Sequence, residues 1–342
     1  MNRAAANEPL IARYRGLICD LDGVVYRGAA PVPGAVKTLN RLTEDGMPVV
    51  FATNNASRPP SAVGDHLVEL GIRQDGWSVV TSSEAAAAFL AERLATRTPV
   101  LAVGGPGVAQ ALAAAGLAPV RCAELGDRSV EAVVQGLGTD VTWHELAEVG
   151  YLAQSGVTWV ATNLDASLPT SRGPAPGNGT LVAAVRATTT AEPHVVGKPG
   201  AALFDLARHR LGTAHASTIV CGDRLDTDIA GANAAGLDSI LVLSGATGLR
   251  DLACAPPGTR PTYIAADLTG LVEPGLPLHA APDDRVVLTS DGRVHVEAGA
   301  DPGRLLQSVV TTAWAGRDAD RLVCDQAGSW RGLELQLGLS GP

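Results

Sequence analysis

The 342-residue sequence predicts an α/β fold with a parallel central sheet and a second α/β lobe inserted into it. Short apolar runs alternate with amphipathic helical patterns before residue 80 and again after residue 192, which is typical of parallel sheets covered by helices. Between these segments lie more than 100 residues with an alternation of their own, far more than a single crossover connection needs. We therefore expect a core in two pieces, an inserted lobe and a different, smaller tail.

The N-terminal half of the predicted core starts with an apolar strand at 16–20. A helix follows from about Pro33, with apolar residues at helical spacing, and Gly46 is its stop signal. The run 48–52 is the next predicted strand, and a second helix covers about 60–70. This order of elements indicates neighbouring parallel strands.

The same pattern returns after the insertion. Helices are predicted near 200–211 and 226–235, and strands near 218–222, 239–243 and 262–265. We therefore assign residues 1–79 and 193–272 to the core.

The inserted lobe is predicted to span residues 80–192. Its strands are expected near 100–103, 132–136 and 158–162, and its helices near 84–95, 107–115, 142–154 and 179–188. This is enough secondary structure for a separate α/β domain.

Residues 276–342 are predicted to form a small α+β appendage. The apolar runs 286–288 and 294–296 flank Asp291-Gly292, and Asp-Gly suits a tight hairpin turn. Asp301-Pro302 is a suitable start for a helix that extends to about residue 315. The appendage could bind a partner, form a dimer or be a degenerate second domain, and these alternatives stay open.

Composition excludes several classes of function. A net charge of −9 argues against nucleic-acid and anionic-membrane partners, and an aromatic content of 4% argues against a base-stacking surface. The uncharged stretch 101–120 is interrupted by glycine and proline, so we predict strand, turn and helix rather than a membrane span. No signal peptide is apparent, and the five cysteines form no CxxC pair. They are expected to be buried, reduced thiols in a cytoplasmic protein.

Four polar motifs each follow a predicted strand, at the edge where parallel sheets bind ligands. They are Asp20-Leu21-Asp22-Gly23, Thr53-Asn54-Asn55, Lys198, and Gly222-Asp223 with Asp228 five residues later. Carboxylates crowded at a strand end repel each other unless a cation or phosphate chemistry accounts for them. Lysine occurs at only two positions among 26 basic residues, so Lys198 is a candidate for a required compact ammonium group.

With these motifs in this order, residues 14–270 resemble the haloacid-dehalogenase superfamily of aspartate-nucleophile phosphatases. The single large insertion is similar to the type-2 cap, whose subclass includes nitrophenyl-, nucleotide, pyridoxal, phosphoglycolate and glycerol-3-phosphate phosphatases. The resemblance implies a Rossmann-like core with residues 80–192 as the cap domain. The tail lies outside the resemblance.

The resemblance implies that Asp20 attacks the phosphorus and forms an aspartyl-phosphate, which divides one difficult displacement into two easier ones. Asp22 would give a proton to the leaving alcohol and later take one from water. Lys198 would balance the charge of Asp20 and the phosphate. Thr53 and the amide of Asn54 would hold the phosphoryl oxygens, and Asn55 belongs to the same substrate-binding motif.

The resemblance also implies a Mg²⁺ ion. Its ligands would be Asp20, the main-chain carbonyl of Asp22, and Asp223, while Asp228 would orient metal-bound water. An all-oxygen set suits Mg²⁺, and no histidine–cysteine cluster argues for zinc.

Three further residues are candidates for contact with the substrate. Asn163 and Asp165 follow a predicted cap strand, where they would contact the leaving group or brace the cap hinge, and a structural turn is the alternative. Arg224 follows the metal aspartate and would face an anionic substrate, with a solvated surface as its alternative.

The expected function is Mg²⁺-dependent hydrolysis of a small phosphorylated metabolite. The resemblance around the cap favours glycerol 3-phosphate, while pyridoxal phosphate, 2-phosphoglycolate and a nucleoside monophosphate remain alternatives. A metabolite-binding regulator without turnover is disfavoured by the intact Asp20, Asp22, Lys198 and Asp223. No nucleic-acid or membrane partner is expected, and a homodimer stays open.

Overall fold

The computed structural model describes residues 8–170, 172–275, 277–324 and 327–339. The strands in these residues are β1 (Gly16–Cys19), β2 (Tyr26–Arg27), β3 (Ala30–Pro31), β4 (Val49–Thr53), β5 (Trp77–Thr81), β6 (Pro99–Val103), β7 (Ala118–Val120), β8 (Ala132–Gln135), β9 (Thr158–Ala161), β10 (Ser167–Thr170), β11 (Gly173–Pro176), β12 (His194–Val195), β13 (Thr218–Gly222), β14 (Asp238–Val242), β15 (Tyr263–Ala265), β16 (Val286–Leu288) and β17 (Val294–Val296).

The α-helices in the described residues are α1 (Ala35–Glu44), α2 (Pro60–Glu69), α3 (Ser82–Ala91), α4 (Pro106–Ala114), α5 (Cys122–Leu125), α6 (Trp143–Gln154), α7 (Asn178–Arg186), α8 (Ala201–Leu211), α9 (Ala230–Ala234), α10 (Leu249–Ala253), α11 (Leu305–Asp318) and α12 (Ala327–Gln336). The strands and helices predicted for the core and the inserted lobe are present near their expected positions. The predicted α/β class with parallel sheets is therefore confirmed.

The chain forms two compact units. The first consists of the described parts of Met1–Val49 and Leu211–Pro342, and the second of Val50–Arg210. This division passes through β4 and α8, so it does not coincide with ends of secondary-structure elements. The domain boundaries predicted at 79/80, 192/193 and 276 stay a prediction.

The first unit contains parallel strands in the order β15-β14-β13-β1. Strands β1 and β13 are buried along their whole length, as expected for a parallel sheet covered on both faces. Their register pairs Cys19 with Cys221, and the amide of Asp20 donates to the carbonyl of Cys221 over 2.9 Å. Because the two strands run in register to this point, the residues that follow them leave the sheet at the same edge.

The segment predicted as one helix over 226–235 has two parts. Leu225–Ile229 is a π-helical turn, and α9 continues it. The amide of Ile229 donates to the carbonyl of Arg224, five residues earlier, over 3.1 Å. The amide of Arg224 in turn donates to the side chain of Asp228, so the widened turn folds this carboxylate back towards the end of β13.

The tail contains the predicted hairpin of β16 and β17, and Gly292 has a φ of +77° in its turn. A short 3₁₀ segment, Pro302–Arg304, precedes α11, which starts later than the sequence indicates. Helix α12 was not predicted. The tail is part of the core of the first unit, because Trp314 and Trp330 share one apolar cluster with Leu243 beyond β14.

The second unit contains β4, β5 and a parallel sheet in the order β12-β9-β8-β6-β7. The three strands expected in the inserted lobe form its centre. The edge strand β12 is the strand expected before Lys198, while the edge strand β7 was not predicted. Its apolar core joins strand residues such as Val133 to helix residues such as Val149 and Val182. Strands β10 and β11 form a separate antiparallel pair.

The cysteines differ in part from expectation. Cys19, Cys122 and Cys221 are free and buried, as predicted. Cys254 and Cys324 form a disulfide, with Cα atoms 6.1 Å apart, so the expectation of a reduced thiol is wrong for this pair. The two residues are 70 positions apart, and the packing of the tail against α10 brings them together. Spacing along the chain carries no sign of this pair.

Within the described residues, none of the helices combines the length and the apolar character needed to cross a bilayer.

Reduction of the Cys254–Cys324 bond is expected to lower the free energy of unfolding by about 2–4 kcal/mol, because the bond restricts the unfolded chain. Urea unfolding with and without a reductant measures this change. Cys254→Ser serves as the control, since its stability should not respond to the reductant. Equal stability of the oxidised and reduced wild-type protein would contradict the prediction.

Candidate active site

Three predicted aspartates form one acidic cluster in the first unit. Asp20 follows β1, Asp223 follows β13, and Asp228 lies in the π-helical turn. One carboxylate oxygen from each residue lies within 4.8 Å of the other two. The in-register ends of β1 and β13 and the folded-back turn account for this convergence.

The cluster is shielded from solvent. Asp20, Asp223 and Asp228 are 9%, 3% and 1% exposed. Burial and like charge both disfavour three ionised carboxylates at this separation, so a cation would stabilise them strongly. Carboxylate oxygens are hard ligands of the kind that Mg²⁺ prefers.

Backbone amides fix two of these carboxylates. The amide of Ala246 donates to Asp223 Oδ2 over 2.6 Å, and the amide of Arg224 donates to Asp228 Oδ2 over 3.1 Å. Each bond sets the orientation of the carboxylate that accepts it. The contribution of Ala246 was not predicted, because it lies in a loop beyond β14.

Glycines make room for the cluster. Gly23 has a φ of +82°, and a Cβ there would lie 2.7 Å from Asp223 Cγ. A Cβ on Gly245 would overlap the Asp223 carboxylate, and one on Gly222 would overlap Asp228. The motif glycines therefore allow a close approach that other residues would prevent.

The Cys221 thiol beside the cluster is poorly suited to redox chemistry. The pKa of Cys221 is raised above its ordinary value, first by a hydrogen bond with Cys19 and then by burial. The carboxylates of Asp228 and Asp20 add to this effect. The Cys221 thiol therefore stays protonated at neutral pH. Cys221 is best described as a small residue of the buried core.

Asp22 is exposed in the loop that follows β1, two residues beyond Asp20. The loop turns back at once, since the amide of Gly23 donates to the carbonyl of Tyr26 over 2.8 Å. This placement gives the carboxyl of Asp22 access to solvent. Its role as acid and base, and that of its carbonyl as a metal ligand, stay predictions.

Arg224 forms a two-point ion pair with Asp226. Its Nε and Nη2 donate to the two carboxylate oxygens over 3.1 and 2.8 Å, and both side chains are exposed. This geometry matches the surface alternative considered for Arg224. Contact with a substrate stays a prediction.

The other predicted residues converge in the second unit, where Thr53 ends β4 and Asn54 follows it. The Asn54 side chain binds both backbone groups of Lys198, accepting from its amide over 2.8 Å and donating to its carbonyl over 3.1 Å. Lys198 is 4% exposed, and its Nζ donates to the carbonyl of Ala52 over 3.3 Å. The lysine is therefore held at both its backbone and its ammonium group.

Asn55 serves the same loop. Its amide donates to the Thr53 hydroxyl over 3.1 Å, and its side chain accepts from the amide of Ser57 over 3.0 Å. These bonds shape the turn after β4. Binding of substrate by Thr53, Asn54 and Asn55 stays a prediction.

Asn163 and Asp165 contact this loop directly. Asn163 is buried and donates to the carbonyl of Asn54 over 2.7 Å, while Asp165 accepts from Asn54 Nδ2 over 3.2 Å. The side chain of Asn178 donates to the carbonyl of Asn163 over 2.8 Å. These contacts favour bracing by Asn163 and Asp165 over a purely local turn.

Two models of known protein families match separate parts of the chain. A model of haloacid dehalogenase-like hydrolases matches residues 17–118, and an HAD-hydrolase-like model matches residues 195–271. The two matches contain the acidic cluster, the Thr53 loop and Lys198. The family resemblance predicted from the sequence is therefore confirmed.

The relatives include enzymes with different named substrates. A D-glycerol 3-phosphate phosphatase of Mycobacterium tuberculosis is 43% identical, over 89% of this chain and 87% of its own. A 5′-nucleotidase of Bacillus subtilis is 35% identical, over 68% of this chain and 89% of its own.

Solved structures give the same result. The crystal structure of glycerol phosphate phosphatase from M. tuberculosis in complex with magnesium has a TM-score of 0.85 and 39% identity, and the match covers 97% of this chain and 100% of that one. The match extends over the tail as well as the core. From its motifs, its fold and these relatives, the chain belongs to the haloacid dehalogenase-like hydrolase family.

Proposed function

We propose that the protein is a Mg²⁺-dependent phosphomonoesterase that hydrolyses glycerol 3-phosphate to glycerol and phosphate. The observation that carries the proposal is the buried cluster of Asp20, Asp223 and Asp228, in a chain 43% identical to a D-glycerol 3-phosphate phosphatase over most of its length. The cluster supports the metal and the chemistry, and the relative supports the substrate.

The cluster suits a Mg²⁺ ion. Asp20, Asp223 and the carbonyl of Asp22 would hold it, with Asp228 orienting its water ligands. The room provided by Gly23 and Gly245 beside Asp223 supports this fit. When bound, the metal neutralises negative charge on the phosphate during the reaction.

Asp20 is proposed as the nucleophile. Its carboxylate forms a bond to phosphorus as the bond to the glycerol oxygen breaks, which leaves an aspartyl-phosphate. Asp22 gives its proton to the departing glycerol oxygen. In the second step Asp22 takes a proton from water, whose oxygen attacks the phosphorus, and inorganic phosphate leaves with Asp20 restored.

Thr53 and the amide of Asn54 are proposed to hold the phosphoryl oxygens, and Lys198 is proposed to balance the charge of Asp20 and the phosphate. Phosphoryl transfer depends mainly on positioning and on charge stabilisation. The support for the role of Lys198 is the pair of hydrogen bonds between the Asn54 side chain and the Lys198 backbone. Asn54 donates one and accepts the other, and together they fix the lysine. A lysine supplies a compact positive charge for this purpose.

Asp20→Asn is expected to lower kcat for phosphate release by about 1,000-fold or more, because the amide is a poor nucleophile. Inorganic phosphate release measures the change. Asp75→Asn, which alters an exposed carboxylate, should keep wild-type turnover. Substantial turnover by a clean preparation of Asp20→Asn would contradict the nucleophile assignment.

Mg²⁺ is expected to raise the melting temperature of the wild-type protein, because it binds the folded acidic cluster. Asp223→Asn should melt at or above the wild-type temperature without metal, since one repelling charge is gone, and should respond weakly to Mg²⁺. Differential scanning fluorimetry with chelator or Mg²⁺ measures both effects. An equal response of Asp223→Asn and wild type would contradict the proposed site.

Glycerol 3-phosphate is expected to have a kcat/KM about tenfold or more above those of pyridoxal phosphate, 2-phosphoglycolate and nucleoside monophosphates, a preference worth about 1.4 kcal/mol. Phosphate release in Mg²⁺, repeated with chelator, measures it. A preference for a nucleotide would leave the chemistry in place and reject the substrate. Binding without release from any ester would favour the regulator alternative.

A further inference from the structure

The loop after β14 holds Asp223 from one side. We call residues 244–248, between β14 and α10, the β14–α10 loop. The amide of Ala246 in this loop donates to Asp223 Oδ2, and a Cβ on Gly245 would overlap the same carboxylate. A small displacement of the loop would therefore move or release the Asp223 carboxylate.

The start of the loop is tied to the motif loop after β1. The Ser244 hydroxyl donates to the carbonyl of Gly23 over 2.8 Å, and Arg27 Nη2 donates to the carbonyl of Ser244. These contacts fix one end of the β14–α10 loop. The other end leads directly into α10.

That other end lacks a cap of its own. Gly248 is the N-cap residue of α10 and offers no side chain to the first free amides of the helix. Glu334, from α12 in the tail, accepts a hydrogen bond from the amide of Leu249 over 3.3 Å. The Glu334 carboxylate accepts from a free amide and complements the dipole of α10. It belongs to the C-terminal tail and not to the alternating strands and helices of the core.

Apolar packing holds the same helix in place. Trp330 and Leu333 of α12 lie in one buried cluster with Leu249 and Leu252 of α10. Leu243, which immediately precedes the β14–α10 loop, belongs to that cluster as well. The tail thus shares one apolar cluster with residues on both sides of the loop that holds Asp223.

We propose that Glu334 is a positioning residue for Asp223. By fixing the start of α10, it holds the β14–α10 loop where Ala246 donates to Asp223, and so raises the Mg²⁺ affinity of the acidic cluster. This inference rests on the proposed function, in which that cluster binds Mg²⁺. It gives the tail a role in the metal site without placing a tail residue in the chemistry.

The test is Mg²⁺ binding to the full-length protein by calorimetry, without substrate. Glu334→Ala and Glu334→Leu lose the acceptor and are expected to weaken Mg²⁺ binding about fivefold, the scale of a lost helix cap. Glu334→Gln keeps an acceptor of the same shape and should stay within about twofold of wild type. Gln336→Ala, an exposed change on the same helix, should bind as wild type does.

Kinetics provide a second reading. At saturating Mg²⁺, the kcat and the KM for the ester should match wild type in all four variants, while the Mg²⁺ concentration for half-maximal rate should rise in the Ala and Leu variants alone. A general loss of folded protein would instead lower kcat at every Mg²⁺ concentration.

Four results would overturn the inference. One is wild-type Mg²⁺ affinity in Glu334→Ala or Glu334→Leu, and another is an equal loss of affinity in Gln336→Ala. The third is failure of both the Ala and Leu variants to fold, since Glu334 would then serve the fold of the tail. Wild-type protein that binds no Mg²⁺ would overturn both this inference and the proposed metal site, whereas the first two results leave the proposed function intact.

Discussion

The mutual repulsion of three buried carboxylates is the constraint on which the rest of the first unit depends. Asp20, Asp223 and Asp228 lie within 4.8 Å of one another with little access to water. Holding them there requires in-register strand ends, a turn wound more loosely than an α-helix, and glycines on either side. Bringing three carboxylates together in this way raises the electrostatic free energy of the folded protein. A cation at this edge of the sheet would offset that cost.

The central elements could be predicted because their signals are local. Strands β1 and β13 are unbroken apolar runs that end in acidic residues, and parallel strands present those ends at one edge of a sheet. The π-helical turn at Asp228 was expected as a plain helix, since helical spacing of apolar residues does not show which backbone bond each amide makes. The acidic residues could therefore be predicted, but the backbone geometry that orients the Asp228 carboxylate could not.

Features made by distant contacts could not be predicted in this way. The Cys254–Cys324 bond, the cap on Leu249 and the tie between Asn54 and Lys198 join residues between 70 and 144 positions apart. No spacing rule connects such pairs. The β14–α10 loop did carry one usable signal, because two glycines in five residues after a buried strand indicate close packing at the ligand-binding edge.

The tail shows how far a distant segment can influence such a site. The path from Glu334 to Asp223 consists of two hydrogen bonds, donated by the amides of Leu249 and Ala246. Leu249 is the first residue of α10, and Ala246 lies three residues earlier in the β14–α10 loop. A single cap contributes about 1 kcal/mol, which corresponds to less than a tenfold change in affinity. The contact is therefore too weak to switch the metal site on or off. It suits a permanent brace, whose effect is greatest where Mg²⁺ is scarce and disappears once the cluster is saturated.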